Sequence, residues 1–280
     1  HGLLQRGGAR EVRVSGPRLL FADNLRAAGV PHAFTTRQGG SSTGPFASLN
    51  LGRGVNDAPE TVAANRIAVL KALGLHPGRH VEADQVHGSV VAVVGAADAG
   101  RSIPHADGLA TSDAGLALAI HAADCVPLLL ADPKRRVVAA LHAGWRGTAA
   151  GIAVEGVRLL AGRFNSQPRD LLAAIGPSIG PCHYEVDEPV MERMRRWAWW
   201  PEVAVADGRD HWRLDLRAAC RRQLVDAGVL PQSIEVMDLC TYDHPKLFYS
   251  YRRDRVTGRM AAVVAPPTEA KGMPQASGRM

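Results

Sequence analysis

Hydrophobic positions along the chain follow two patterns, short continuous runs and repeats with helical spacing. The short apolar runs predict strands at VVAVV (90–94), LALAIHA (116–122), VPLLLA (126–131), VVAALHA (137–143), LLAAIG (171–176), SIEVMD (233–238) and RMAAVVA (259–265). The helical spacing predicts helices within 57–75, 147–164, 188–200 and 214–228. Some strands follow one another through a tight turn, and others are separated by a helix. This combination predicts mixed β-sheets with packed helices, the α+β class.

The predicted helix at 57–75 carries a cap signal and an apolar stripe. Asp57 and Glu60 have the spacing of a capping box. The stripe that is expected to face the core consists of Val62, Ala63, Ile67, Leu70 and Leu73. The segments 176–186 and 200–212 lack such patterns, and we predict that they are long loops of the kind that often carries function.

Two predicted strands are joined by a tight polar turn within HAADCVPLLLADPKRRVVAALHAGWRG (121–147). The turn sequence DPKR (132–135) suits a type I turn. If its first and last residues pair, counting back along both strands places Cys125 directly across from His142. Opposed residues of an antiparallel pair have Cβ atoms about 4.5–5.5 Å apart on one face of the sheet. A thiolate and an imidazole at that separation can share a metal ion or a proton.

Composition and charge narrow the class of protein. The chain has 280 residues, 46% of them hydrophobic, and a formal net charge of +6. Such a chain can build an ordinary globular core, and no apolar run is long enough for a membrane span. The charge is too small to predict nucleic-acid binding. Four cysteines without a C-x-x-C pair, and no signal-peptide pattern, predict a cytoplasmic protein with reduced thiols.

No change of composition divides the chain, so a single catalytic domain is predicted at 15–265. Residues 1–14 are expected to be an N-terminal extension, and the Pro/Gly/Ser-rich residues 266–280 a disordered tail. The expected oligomeric state is a monomer or a homodimer.

Cys125 and His142 form the first candidate site. His87, in ADQVHGSVVAVV (83–94), is the candidate third ligand, although counting along the strands would not single it out. Two His, one Cys and an open position are a pattern of catalytic zinc sites, and the same ligands would also accept copper. One alternative is a buried Cys beside a hydrogen-bonded His. Another is a metal-free hydrolase with Cys125 as nucleophile and His142 as base.

Two glycine-rich loops are candidate anion sites. The loop FTTRQGGSSTGPFASLNLG (34–52) offers backbone N–H groups and polar side chains, of which the candidate anion-binding residues are Arg37, Ser41 and Asn50. The loop GWRGTAAG (144–151) places Arg146 at the start of a predicted helix. The alternative is that both are ordinary loops without a ligand, in which glycine is needed only because the backbone adopts positive φ angles.

Cys182 and His183 are also sequence neighbours. Adjacent residues of an extended strand point to opposite faces, so no joint site is predicted there. Cys220 lies in a predicted amphipathic helix, and its expected role is that of a small core residue.

Seven motifs follow one another along the chain: TTRQGGSSTGPFASLNLG, DQVHG, ADG, ADCVP, HAGWRG, IGPSIGPCHYEV and FYSYRRDRVTGRM. In this order they resemble the YfiH-like family, long labelled laccase-domain or multicopper polyphenol oxidase proteins, over nearly the whole chain. The resemblance implies a layered fold of mixed sheets and helices that is YfiH-like and similar to that of cytotoxic necrotizing factor. It also implies that His87, Cys125 and His142 hold a zinc ion, about one per chain.

The activity that the resemblance implies is metal-dependent phosphorolysis of adenosine, inosine, guanosine and methylthioadenosine, together with deamination of adenosine. A second implied role is the editing of a cell-wall precursor, UDP-N-acetylmuramic acid wrongly joined to serine. The oxidase label fits less well, because multicopper oxidases use His-x-His pairs and the eleven histidines of this chain include none. One site with His and Cys ligands could still bind copper.

A mechanism follows from this resemblance. Zinc lowers the pKa of a bound water to near neutral, which suits attack on purine C6 in deamination. In phosphorolysis, Arg37 and Arg146 would hold the phosphate that attacks ribose C1′, and Asp124 or Asp107 would carry the proton. The predicted catalytic residues are Cys125, His142 and Asp124. A purine nucleoside and phosphate are the expected partners, with no nucleic acid and no membrane. A non-catalytic interaction domain remains the alternative, for which only the modestly basic surface argues.

Overall fold

The structure, a computed structural model, describes the backbone of Glu11–Val12 and residues 16–267. The extension predicted at 1–14 and the tail predicted at 266–280 lie almost entirely outside the described residues. Within them, the strands form three sheets that together contain parallel and antiparallel pairs, and helices pack on the sheets. This arrangement confirms the predicted α+β class. No helix in the described part of the chain is long and apolar enough to cross a membrane.

The strands are numbered along the chain, and each sheet is given in spatial order. Sheet 1 contains β1 (Glu11–Val12), β2 (Leu19–Leu20), β3 (His32–Thr35), β16 (Met260–Val264), β8 (Ala117–Ala122), β4 (His80–Asp84) and β6 (Ser102–Pro104). Sheet 2 contains β15 (Ile234–Val236), β11 (Leu172–Ile175), β9 (Val126–Asp132), β10 (Val137–Ala143), β7 (Gly108–Thr111) and β5 (Val91–Val93). Sheet 3 contains β12 (Glu185–Asp187), β14 (His211–Leu214) and β13 (Ala204–Ala206).

The helices are α1 (Asp23–Ala27), α2 (Pro59–Ala72), α3 (Trp145–Ala150), α4 (Ile152–Phe164), α5 (Glu188–Met194), α6 (Trp200–Val203), α7 (Leu216–Asp226) and α8 (Tyr251–Asp254). Helices α4 and α7 cover one face of sheet 2, and α2 covers the outer face of sheet 1. The two sheets therefore pack against each other between layers of helix.

Alternation along the strands explains these layers, because successive side chains of a strand point to opposite faces. In β9, Leu128 and Leu130 belong to the core under the helices, whereas Leu129 packs with Phe34 and Ile120 between the two sheets. Both faces of β9 are apolar, so this strand appears in the sequence as a continuous hydrophobic run rather than an alternating one.

The register of the β9–β10 hairpin differs from the predicted one. Asp132 pairs with Val137, and His142 pairs with Pro127 rather than with Cys125. The reason is that four residues, not two, separate the last paired positions, and Arg136 at the end of this turn has a φ of +55°. The shift amounts to two positions, and a two-residue shift keeps every side chain on its predicted face. Cys125 therefore lies diagonally from His142 at the same end of the hairpin.

The capping box predicted for α2 does not form. Ala58 is the N-cap residue, and no side chain caps the helix. Asp57 instead accepts hydrogen bonds from Ser42 Oγ at 2.7 Å and from Asn50 Nδ2 at 2.9 Å. The carboxylate thus ties the start of the helix to the preceding glycine-rich loop.

The buried face of α2 is rotated from the predicted stripe. Ala63 and Ile67 are exposed, whereas Asn65 and Arg66 are buried. The two polar residues are buried because they form hydrogen bonds with polar groups of the preceding loop. Arg66 Nε, for example, donates to the carbonyl of Leu51 at 2.8 Å. Helical periodicity alone gave no sign that this face serves a polar site.

Two other predicted segments are divided differently in the structure. The helix predicted at 147–164 is split by Gly151, whose φ of +91° favours glycine, into α3 and α4. The loop predicted at 200–212 instead contains α6, β13 and the start of β14, and both strands belong to sheet 3 and are short and only partly buried. Such strands carry little periodic signal, because little of their surface is buried.

His32 in β3 makes stability depend on pH in a defined direction. Its Nε2 accepts the N–H of Ala22 at 2.9 Å, so its Nδ1 donates to the carbonyl of Val30 at 2.8 Å. Burial lowers the pKa of this imidazole below its ordinary value. Below about pH 6.5 the unfolded chain therefore takes up a proton before the folded chain does, and the free energy of unfolding falls.

The substitution His32→Gln keeps a donor and an acceptor but does not titrate. When the pH falls from about 7.5 to about 5.5, we expect the free energy of unfolding to decrease less in this variant than in the unchanged chain. Denaturant midpoints at the two pH values measure this difference. Equal losses in the two proteins would show that His32 contributes nothing to the pH dependence.

Candidate metal centre and adjoining cavity

The two ligands predicted from the hairpin lie where β9 and β10 leave the sheet. His142 is a buried residue of β10, and Cys125 immediately precedes β9. Alternate residues of a strand point to the same face, so the side chain of His142 shares a face with Val138 and Ala140, which pack between sheets 1 and 2. Its imidazole therefore lies at the edge of the layer between the two sheets.

His87 approaches this pair from the segment that joins β4 to β5. Its φ is +62°, an uncommon conformation for a residue with a side chain. The imidazoles of His87 and His142 meet edge to face, with ring centroids 4.9 Å apart. Candidate ligand atoms of His87, Cys125 and His142 all lie within 4.8 Å of one another. The structure thus brings the three predicted ligands together.

Asp107, which is fully buried, organises the cluster. Its carboxylate accepts the backbone N–H groups of Val86, His87 and Gly88 at 3.1, 2.9 and 2.6 Å. It also lies 2.8 Å from Nδ1 of His142, which leaves Nε2 of that ring as the metal-binding atom. Burial alone would raise the pKa of Asp107, but the hydrogen bonds from His142 and the Gly88 N–H hold it below its ordinary value.

The charges of Cys125 and His142 depend on each other. Burial raises the pKa of the Cys125 thiol, but the neighbouring His142 and His87 outweigh burial and bring it down to about 6. Burial lowers the pKa of His142, but the Cys125 thiolate and Asp107 bring it up to about 9. Each group therefore favours the charged form of the other, a thiolate beside an imidazolium. A metal ion requires the same thiolate and displaces the imidazolium proton.

A glycine keeps the space between the ligands free. Gly144 precedes α3, and a Cβ at this position would lie 2.9 Å from His87 Cδ2 and 3.2 Å from Cys125 Sγ. Any larger residue would fill the volume where the ligands converge. Two imidazoles, a thiolate, the carboxylate of Asp107 and this free volume fit a zinc ion with an open fourth position.

A cavity of about 520 Å³ opens beside the three ligands. Its walls come from residues before α2, from α2 itself, from β4, β6 and β8, and from α8 and the residue before β16. The polar side chains that line it, besides the ligands, are Arg53, Arg66, Glu82, Asp84, Gln85, Ser102, His121, Tyr251 and Arg259. None of these was predicted as a site residue, because they lie on separate elements. Four of them, Asp84, Gln85, Tyr251 and Arg259, fall within the motifs DQVHG and FYSYRRDRVTGRM, which is the signal that could have found them.

Arg66, Glu82 and His121 form a connected group in the cavity wall. Arg66 Nη1 lies 2.9 Å from Glu82 Oε2, and Arg53 Nε lies 3.5 Å from the same oxygen. Arg66 Nη2 is 3.5 Å from Nε2 of His121. Burial and the two arginines hold the pKa of His121 well below its ordinary value, so this ring is neutral at neutral pH.

Arg259 differs from the other cavity arginines in its partners. Its Nη1 donates to the carbonyls of Thr257 and Gly258 at 2.9 and 3.0 Å. No carboxylate among the described residues forms a salt bridge with it, whereas Arg53 and Arg66 share Glu82. Arg259 is therefore the cavity arginine without a salt bridge among the described residues.

The predicted anion ligands Arg37 and Arg146 are not among the described residues that line this cavity. Arg37 donates from Nε to the carbonyl of Ala47 at 2.9 Å and packs over the ring of Tyr249 at 4.5 Å. Arg146 packs over the ring of Trp145 at 4.4 Å. Their roles as phosphate ligands stay predictions.

Ser41 and Asn50 support the loop around the cavity. Ser41 donates from its backbone N to Asn65 Oδ1 at 3.0 Å. The fully buried Asn50 accepts the N–H of Arg259 at 2.9 Å and that of Gly52 at 3.0 Å. Asn50 thereby positions Arg259, and direct contact of Ser41 or Asn50 with a substrate stays a prediction.

Asp124 anchors the backbone just before Cys125. Its φ is +93°, and its two carboxylate oxygens accept hydrogen bonds from Thr241 Oγ1 at 2.6 Å and from the N–H of Arg252 at 2.7 Å. These bonds stabilise a conformation that is unfavourable for a residue with a Cβ. They fix the position of the Cys125 thiolate, and the predicted catalytic role of Asp124 remains to be tested.

The fold and this site define a protein of layered mixed sheets with a His₂Cys cluster, able to hold a metal ion, at the edge between two sheets. A family model described as "Multi-copper polyphenol oxidoreductase laccase" matches residues 31–266. The chain belongs to this family.

Three similar proteins extend the comparison. The chain is 42% identical over 249 residues to "Purine nucleoside phosphorylase YlmD" of Geobacillus stearothermophilus, with 85% of this chain and 90% of that protein covered. It is 43% identical over 253 residues to "Purine nucleoside phosphorylase" of Deinococcus radiodurans, covering 90% and 94%. The crystal structure of the Bacillus licheniformis hypothetical protein YfiH matches with a TM-score of 0.86 and 38% identity, covering 91% and 98%.

Proposed function

We propose that this protein is a zinc-dependent purine nucleoside phosphorylase that acts on adenosine, inosine, guanosine and methylthioadenosine and also deaminates adenosine. The observation that carries the proposal is the His₂Cys cluster opening into a cavity lined by arginines. The names of the similar proteins from Geobacillus and Deinococcus support the phosphorylase part of this proposal.

The chain's own residues supply binding, charge and orientation. A bound zinc ion would supply Lewis-acid chemistry and lower the pKa of a water molecule to near neutral. In phosphorolysis, a phosphate oxygen forms a bond to ribose C1′ while the bond from C1′ to the purine nitrogen breaks. Arg259, with Arg53 beside it, would hold the phosphate in line for this attack. The purine leaves as an anion and then takes a proton from solvent or from the phosphate, with Asp124 or Asp107 as the carboxylate proposed to relay it.

One observation favours the second candidate, the editing of UDP-N-acetylmuramic acid joined to serine. A further cavity of about 640 Å³, lined in part by Pro59, Ala63 and Ile67, shares Arg53 and Arg66 with the first. Together the two cavities offer more room than a nucleoside needs, and both lie beside basic groups suited to a diphosphate.

Copper-dependent oxidation has less support from the site. Among the described residues, the groups able to hold a metal contain two histidines together, His87 and His142. A trinuclear copper cluster requires many more imidazoles than this. The same three ligands would still accept a single copper ion.

The experiment that tests the proposal measures metal content and base release together. Freshly purified protein is analysed for zinc and copper, then incubated with adenosine or inosine with and without phosphate. We expect zinc in the protein and release of adenine or hypoxanthine that requires phosphate. Base release that does not need phosphate would contradict the phosphorylase proposal. The absence of base release, together with hydrolysis of the serine-linked precursor, would also contradict it.

Substitution of the arginines distinguishes the cavity from the glycine-rich loop. We expect Arg259→Lys, which keeps the charge but loses the planar fork, to raise the KM for phosphate by about tenfold or more. Deamination should change less, because water replaces phosphate as the nucleophile.

Arg37→Lys is the matched comparison on the other loop. A selective loss of phosphate use in Arg37→Lys, with Arg259→Lys unaffected, would transfer the phosphate site to the glycine-rich loop. Equal losses of both reactions in Arg37→Lys would show that Arg37 serves the fold of that loop. Initial rates against phosphate concentration separate these outcomes.

A further inference from the structure

A second group of metal-ligating side chains lies in two loops outside the candidate metal centre. Cys182 lies in the turn that follows β11, and Cys240 and Asp243 lie in the segment that follows β15. Candidate ligand atoms of these three residues lie within 4.8 Å of one another. Cys240 is buried, whereas Cys182 and Asp243 are exposed. A cation could therefore enter from solvent and be held against a protected inner ligand.

The separations between these atoms match the edges of a zinc tetrahedron. Cys182 Sγ lies 4.0 Å from Cys240 Sγ and 3.5 Å from Asp243 Oδ2. Zn–S bonds of about 2.3 Å and Zn–O bonds of about 2.0–2.2 Å place two sulfurs about 3.8 Å apart and a sulfur and an oxygen about 3.5 Å apart. We propose that Cys182, Cys240 and Asp243 bind a second zinc ion, with water completing the tetrahedron on the exposed side.

Neighbouring groups already orient the proposed ligands. The N–H of Gly180 donates to Cys240 Sγ at 3.2 Å and so holds this sulfur in place. His183 Nε2 lies 2.6 Å from Asp243 Oδ1, which leaves Oδ2 for the metal. The ring of His183 is stacked on that of Tyr242, with centroids 4.0 Å apart.

Cys182 and His183 thus both contact the carboxylate of Asp243. The sequence predicted no joint site for these two neighbours. The prediction assumed an extended strand, in which neighbours point to opposite faces. The residues lie instead in a turn, and both side chains reach Asp243.

A disulfide is the competing use of the two cysteines. An S–S bond is about 2.05 Å long, so the sulfurs would have to move together by about half of their present separation. The Asp243 carboxylate beside Cys182 has no role in a disulfide. A zinc ion uses all three side chains nearly where they stand.

The second ion would cross-link the two loops that form hydrogen bonds with Asp124. The N–H of Ile179 donates to the carbonyl of Asp124 at 2.9 Å, and Thr241 donates to its carboxylate. Cys182 follows Ile179 by three positions, and Cys240 precedes Thr241. A zinc ion between the cysteines would therefore stabilise the backbone that positions Cys125 in the first centre.

The test uses the full chain carrying Cys125→Ser and His142→Ala, which lacks two of the three ligands of the first centre. Reduced, metal-free protein is titrated with Zn²⁺ in competition with a chromophoric chelator. We expect about one zinc ion per chain to bind in this background. Adding Cys182→Ser should abolish the binding, and adding Asp243→Asn should weaken it by about tenfold or more. Cys182 is exposed, so its replacement leaves the core intact.

Cys220→Ala in the same background is the matched control. It removes a buried thiol that lies in neither group of candidate ligands among the described residues, and it should leave the zinc in place. Co²⁺ in place of Zn²⁺ should show sulfur-to-cobalt charge-transfer absorption that disappears with Cys182→Ser.

The proposal is overturned if the background protein binds no zinc, or if zinc binding survives Cys182→Ser. A disulfide between Cys182 and Cys240 in protein purified without reductant, with no zinc bound after reduction, overturns it as well. None of these outcomes bears on phosphorolysis, which is measured separately with the first centre intact.

Discussion

Replacing Cys125 with Ser and His142 with Ala together should remove about one zinc ion per chain and abolish phosphate-dependent release of purine base. The double change removes the thiolate and the buried imidazole, and it leaves His87 as the one ligand of the cluster. A single imidazole on an exposed loop cannot retain zinc against water. Metal analysis after desalting measures the first effect, and chromatography of adenine and hypoxanthine measures the second.

The matched control combines Cys220→Ala with His105→Ala, which removes the same two types of side chain away from the cluster. This control should keep both its zinc and its rate. Loss of activity in Cys125→Ser, His142→Ala with unchanged metal content would contradict the zinc centre. It would instead favour Cys125 as a nucleophile with His142 as its base.

That Cys125 and His142 lie together at one end of the hairpin was predictable from the sequence, because strand geometry is periodic. The predicted turn was wrong by two positions, yet an even shift preserves the faces of both strands. An odd shift would have separated the residues. His87 was not predictable in this way, because a loop with a φ of +62° positions it and no periodicity describes such a loop.

The cavity residues illustrate a second limit of sequence analysis. Arg66 in α2 and Glu82 in β4 form an ion pair of 2.9 Å. The packing of this helix on sheet 1 brings the two residues together, and their spacing in the sequence does not indicate the contact. The sequence shows only a charged residue in a helix and one in a strand, and both positions normally predict exposure. Arg259 lies in the motif FYSYRRDRVTGRM, but its place in the cavity depends on the pairing of β16, which directly follows it, with β8 in sheet 1.

The core strands were predicted most accurately, and β10 has the bounds that its hydrophobic run predicts, Val137–Ala143. Its residues are buried on both faces, so hydrophobicity alone defines its length. Sheet 3 was missed because β12, β13 and β14 are short and mostly exposed. The break at Gly151 was missed because a helical repeat continues through it on both sides.

Asp107→Asn should lower zinc affinity by about 10–100-fold and reduce phosphorolysis at limiting metal in proportion. The substitution keeps the shape of the side chain but removes its charge and turns one acceptor into a donor. That donor would face N–H groups, because the carboxylate accepts from the backbone of His87 and Gly88 and from the ring of His142. A buried polar group without a partner costs about 1–3 kcal/mol, so the thermal midpoint should fall as well.

Asp113→Asn separates the effect on the metal from the effect on stability. Asp113 also accepts a backbone N–H, that of Ala96 at 2.6 Å, but it lies outside the metal cluster. This control should lower stability and leave zinc affinity unchanged. For Asp107→Asn, added zinc should restore most of the rate, because the three ligands remain and only their orientation and basicity have changed. Zinc affinity equal to that of the unchanged chain would show that Asp107 stabilises the loop without tuning the ligands. A rate that stays low at saturating zinc would instead indicate that Asp107 takes part in the reaction itself, as the proton carrier that the sequence left undecided between Asp107 and Asp124.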